Sequence, residues 1–174
     1  MTTETGAAPA PEAESDPVAA AAAQADAAMA RLQEALRRFG EGDLQRAHRA
    51  GGWTVAQVIS HMNVATLMWL GDLERLRNDP DLRFFFREEI GHDALGYPPP
   101  TIEIALRQLD ATRRTLATCL PAVDPAILDR TVEVPDLGTM TVGEWTPLIA
   151  GHLCGHVDQA FAIMTDREFR PGGV

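Results

Sequence analysis

Apolar positions recur at helical spacing in four stretches of the chain, each bounded by stop or turn residues. The first runs from Pro17 to about Phe39. It is alanine-rich, carries Met29, Leu32 and Leu36 as a stripe, and meets a stop at Gly40. Thr54 opens the second as an N-cap, with Gln57 three residues on to complete a capping box. Val55, Val58, Ile59, Met62, Ala65, Trp69, Leu73 and Leu76 then share one face of a helix expected over 55–77. The third, about 101–119, has Ile102, Ala105, Leu106, Leu109, Leu116 and Leu120 on its stripe, with Arg113 on the same face. The fourth opens on a second capping box, Thr141 with Glu144, and is expected to end near Met164. Thr146–Pro147 offers a competing start; if the helix begins at Thr141, Pro147 lies inside it and should kink it.

The segments between them are punctuated by glycine and proline. Residues 40–53 read as a loop closing on Gly51–Gly52–Trp53. Residues 78–100 are longer than the roughly 2–8 residues that usually join antiparallel helices, so they read as a crossover or an insert bordering a site. Phe84, Phe85, Phe86 and Tyr97 are expected to pack as a lid over one end. Around 120–140, prolines and Gly138 flank an extended piece at 130–134, which suggests a small hairpin or arm. Four long amphipathic helices with almost no strand predict an all-α protein, a four-helix bundle with at least one long connection. Residues 1–17 are expected to be a disordered acidic tail, and 18–170 the bundle domain.

Composition narrows the function classes. The net charge of −10 over 174 residues argues against nucleic acid as a partner. No apolar run is long enough for a membrane span and no signal-peptide pattern opens the chain, so a cytoplasmic protein with no membrane partner is expected. All 15 basic residues are arginine, which excludes a lysine Schiff base and the Walker-type phosphate loop. Cys119 and Cys154 imply no disulfide framework.

The candidate chemistry lies in the fourth helix. His152 and His156 are four apart, one turn along a face that also holds Trp145, Leu148, Ile149, Ala160 and Ile163. An unpartnered imidazole on an inward face is costly, so something must satisfy the pair. A divalent metal is one answer, with His61 of the second helix, on the flank of its stripe, as third ligand. Three protein ligands would leave a coordination position open. Gln159 returns to the histidine face and would orient a ligand or a bound water. The alternative is that the histidines satisfy backbone carbonyls or one another, or stand in solvent. Arg113 reads either as a snorkelling residue at the end of the core, the favoured reading, or as an anion-binding group. Cys154 points away from both histidines, and His48 and His92 lie in loops. Leu153 stands where a zincin protease needs its glutamate.

The order G-G-W-T-V-A-Q-V-I-S-H, then T-V-G-E-W, then H-L-C-G-H-V-D-Q resembles the DinB/YfiT-like superfamily over residues 20–165. The resemblance implies a bundle of up-down-down-up topology with zinc or nickel on His61, His152 and His156. Many members carry a further histidine just before the last ligand, where this chain has Gly155. It also implies a metal-dependent enzyme, a thiol S-transferase, isomerase or hydrolase, using a low-molecular-weight thiol as cosubstrate and acting on a small molecule. Relatives of that kind include bacillithiol-dependent transferases and mycothiol-dependent maleylpyruvate isomerase. The competing readings are a non-catalytic metal- or ligand-binding bundle of stress-response type, with a homodimer expected, and a helical domain with no metal.

Overall fold

The structure is a computed structural model that describes residues 16–47, 51–79, 81–82, 97–134 and 137–165. The acidic tail up to residue 15, His48, His92, Phe84, Phe85 and Phe86 lie outside the described residues. Among the described residues, eight elements follow one another: α1 (Pro17–Leu36), α2 (Glu41–Leu44), α3 (Val55–Asn78), α4 (Ile102–Cys119), α5 (Pro125–Leu128), β1 (Thr131–Val134), β2 (Gly138–Thr141) and α6 (Val142–Thr165).

The helix starts follow their caps. Asp16 accepts a hydrogen bond from the Val18 amide (2.9 Å) and Pro17 occupies the first turn of α1. At α3, the Gln57 amide donates to Thr54 Oγ1 (3.1 Å) and the Thr54 amide donates to Gln57 Oε1 (2.8 Å). Thr141 and Glu144 make the same reciprocal pair at the start of α6, so Pro147 lies inside that helix.

The long helices form a ring in the order α1–α6–α3–α4. Asp26 and Gln33 of α1 meet Arg113 and Leu106 of α4 in reverse order, so these two run antiparallel. His61 and Trp69 of α3 likewise meet His156 and Trp145 of α6 in reverse order. The result is an all-α, up-down-down-up four-helix bundle. Its neighbours α3 and α4 are parallel, which is why a long connection must carry the chain back from one end to the other. Met29, Leu32, Leu36, Met62, Leu76, Leu109, Leu116, Leu153 and Ile163 are fully buried between the helices. None of the helices among the described residues is long and apolar enough to cross a membrane.

Several local expectations are corrected. α1 ends at Leu36, three residues early, and 37–39 form a turn. The expected loop 40–53 contains α2, whose Asp43 bonds back to the Gly40 amide (2.8 Å) and whose Leu44 is completely buried. That helix is too short to show a period in sequence, yet Glu41 reaches across to cap the α4 amide of Ile102 (2.8 Å). The extended piece does form the small hairpin suggested for it, antiparallel with Thr131 opposite Thr141 and Val134 opposite Gly138. It follows the unexpected one-turn α5. Gly138 takes a positive φ of 83°, the left-handed conformation this turn requires. Arg130 ties the hairpin to the end of α3 by donating to the carbonyls of Leu76 and Asp79. Tyr97 is 97% exposed and covers nothing.

Candidate metal centre

The site stands on the α3–α6 pair. His61 sits on the second turn of α3, and His152 and His156 are one turn apart on α6. His61 Nε2 is 3.1 Å from His152 Nε2, and His156 Nε2 is 2.9 Å from the same atom. One ligand atom from each of the three lies within 4.8 Å of the others. Two nitrogens bonded to one zinc at about 2.0–2.1 Å are themselves about 2.9–3.4 Å apart, for bond angles between octahedral and tetrahedral. The two spacings to His152 Nε2 fit that window.

Hydrogen bonding among the rings does not account for the cluster. His156 Nδ1 is 2.8 Å from Gln159 Oε1, which can only accept, so Nδ1 carries the proton and Nε2 presents a lone pair inward. His152 Nε2 is within bonding distance of both neighbours but holds at most one hydrogen, so it cannot satisfy both. Protonation is no remedy. Burial and the neighbouring imidazoles push His61 down to about 4 and His152 down to about 4; burial also lowers His156, against the raising effect of Gln159. All three rings are therefore neutral near pH 7, the form that binds metal. His61 Nδ1 is buried with no hydrogen-bond partner, which leaves Nε2 as that ring's one outlet for a polar interaction.

Aromatic side chains set the walls. Trp53 lies nearly parallel to His156 (9° between planes, centroids 5.8 Å apart) and edge-on to His61 (4.8 Å). Gly51, with a φ of 72°, and the bridge between Ala47 and Thr54 turn the chain so that Trp53 roofs the cluster. Trp69 meets His152 edge-on at 5.1 Å and Trp145 at 6.5 Å. Trp69 counts in the sequence only as part of an apolar stripe; nothing in its spacing marks it as a wall of the site.

The structure places the remaining candidates as follows. His61, expected on the flank, is buried at 7% exposure, because Trp53 covers the side that α3 alone would leave open. Leu148, expected on the inward face, is 45% exposed, one turn beyond His152 at the edge of that face. Gly155 is exposed, and a Cβ built there would meet no atom within 4 Å. Arg113 is not open to an anion. Its Nε and Nη2 donate to the two oxygens of Asp26 (2.7 and 3.0 Å), and Nη1 donates to Gln33 Oε1 (2.5 Å). A cavity of ≈ 240 Å³ lined by Leu70, Leu73, Arg77, Val123 and Ile127 includes none of the histidines.

An all-α bundle with three converging imidazoles able to hold a divalent metal defines a class before any relative is considered. Residues 6–160 match the DinB superfamily, and the chain belongs to it. A candidate metal-dependent hydrolase of Oceanobacillus iheyensis is 30% identical over 63% of this chain and 63% of its own length, so the chain spans a little under two thirds of that relative. A second, from Bacillus mycoides, is 26% identical over 70% of each chain. Among solved structures, YfiT of Bacillus subtilis, a probable metal-dependent hydrolase with an unusual four-helix bundle topology, superposes with a TM-score of 0.65. The superposition covers 94% of this chain and 95% of YfiT at 16% identity, a likeness of fold.

Proposed function

We propose that His61, His152 and His156 hold a divalent cation, zinc or nickel, through their Nε2 atoms, and that the protein is a metal-dependent enzyme of the thiol S-transferase or hydrolase kind. The observation that carries this reading is the excess of acceptors. Three neutral imidazoles from two helices converge on one point and cannot satisfy one another. When bound, such an ion acts as a Lewis acid that lowers the pKa of a thiol or a water into the neutral range.

The chain's own residues do the rest. Gln159 holds the His156 tautomer and ring orientation. Trp53 and Trp69 pack against the rings, and Trp53 covers His61. His152 and His156 are only partly buried, so a small molecule can approach from their side. Three protein ligands leave room for it in the coordination sphere. A second reading, a non-catalytic metal- or ligand-binding bundle, draws on one feature. Trp53, Trp69 and Gln159, which touch the imidazoles, are not side chains that move a proton.

Elemental analysis of untagged protein beside His61→Ala tests the site. We expect about one zinc or nickel per chain in the parent and a strong reduction in the variant; a parent that stays metal-free after zinc is added back overturns the reading. Turnover of electrophiles and esters by the loaded protein, with mycothiol, bacillithiol, glutathione or no thiol, then separates enzyme from binding bundle.

A further inference from the structure

The outer side of the α3–α6 groove bears on what the proposed metal centre accepts. Met68 lies seven residues, two turns, after His61, and so on the same face of α3. Leu148 lies one turn before His152 on α6. The contacts of Trp69 with Trp145 and His152 put the two residues at the same level of the bundle. Both are exposed, at 40% and 45%. Met68 and Leu148 thus stand in solvent on the histidine faces of the two helices, two turns and one turn from the imidazoles, while Gly155 leaves the space beside them open.

Charge points the same way. α6 contains no arginine or lysine. The two arginines of α3, Arg75 and Arg77, lie in its last turn and pair with Asp72 and Glu74. Arg113 is held by Asp26 and Gln33 on the far side of the bundle. Away from the cation itself, the described residues of the groove therefore offer the far end of a reactant no counter-charge, on a protein of net charge −10. Burying a carboxylate there without a partner would be costly, whereas covering Met68 and Leu148 is favourable.

We infer that the reactant binds along the α3–α6 groove with an uncharged, apolar group laid against Met68 and Leu148, so that these two residues select neutral apolar substrates over carboxylate-bearing ones. This rests on the metal centre proposed above. The test uses zinc-loaded full-length protein and three hydroxamates, whose common head group binds zinc: acetohydroxamic acid, octanohydroxamic acid, and the octanoyl analogue ending in a carboxylate. Affinities are read by calorimetry. Octanohydroxamic acid should bind at least tenfold tighter than acetohydroxamic acid, and the terminal carboxylate should remove the gain. Met68→Asp and Leu148→Asp should each cut the gain severalfold while leaving acetohydroxamic acid affinity, zinc content and melting temperature unchanged; both positions are exposed, so folding is not at stake. Equal affinity for all three ligands, or a chain-length gain that survives both variants, overturns the inference with the metal centre intact. Absence of bound zinc overturns both together.

Discussion

Two of the polar clusters among the described residues of the bundle differ in one respect that matters. On the α1–α4 side, Arg113 donates to both oxygens of Asp26 and to Gln33, and Gln33 Nε2 donates to the Leu106 carbonyl (3.2 Å). Donors and acceptors match, opposite charges meet, and the cluster is complete within the chain. On the α3–α6 side, three imidazoles supply lone pairs to one point with too few hydrogens among them. The first cluster resolves the cost of burying polar atoms by itself; the second is arranged so that a cation from outside could complete it. Arg113 has the residue type of an anion site, but its surroundings make it a structural strut.

This contrast can be broken most forcefully at its centre. His152 is the ring that both other histidines contact, so His152→Ala should weaken zinc binding by at least about 100-fold, roughly 3 kcal/mol. Helicity should be preserved, because the helix carries its own buried stripe. Zinc titration against a chromophoric chelator, with circular dichroism alongside, reads both; unchanged affinity would remove the site assignment. A smaller effect is expected at the ring's support. Gln159→Leu frees the His156 tautomer and should cost about 10-fold to 100-fold in zinc affinity without touching a ligand.

The opposite side should respond in stability alone. Arg113→Ala strips Asp26 and Gln33 of their donor and should destabilise the fold by about 1–2 kcal/mol in urea, with zinc affinity unchanged. Altered metal binding in that variant would mean the clusters communicate. The smallest effect belongs to Asp26→Asn, at under about 1 kcal/mol, since this ion pair is partly exposed. The Arg113 hydrogen bonds hold the Asp26 carboxyl below the usual aspartate value of 3.8. A depressed carboxylate stabilises the fold above its unfolded pKa and loses that contribution as pH falls through the folded value. The parent should therefore lose slightly more stability than Asp26→Asn on acidification below about pH 4, and parallel acid titrations of the two would check it.

Much of the helical framework was legible from local chemistry. Both capping boxes, Thr54–Gln57 and Thr141–Glu144, open helices where their spacing says they should, because the bonds involved span only three residues. The apolar stripes found the core-facing sides of α1, α3 and α4. α2 and α5 escaped notice, since one turn of helix shows no period and both are held by tertiary contacts such as the Glu41–Ile102 cap. Leu148 was misplaced because angular position on one helix does not reveal where the neighbouring helix stops covering it.

What the sequence determined by itself was therefore local: which segments are helical, where they begin, and that His152 and His156 share a face. Those properties depend on backbone period and on hydrogen bonds between residues a turn apart. Only the tertiary structure decided that His61 meets the pair, that Trp53 roofs them, and that Arg113 finds Asp26 rather than a ligand. Each of these is a contact across 80 or more residues of chain. Such contacts arise from how whole helix faces dock, and no spacing along a single helix encodes them.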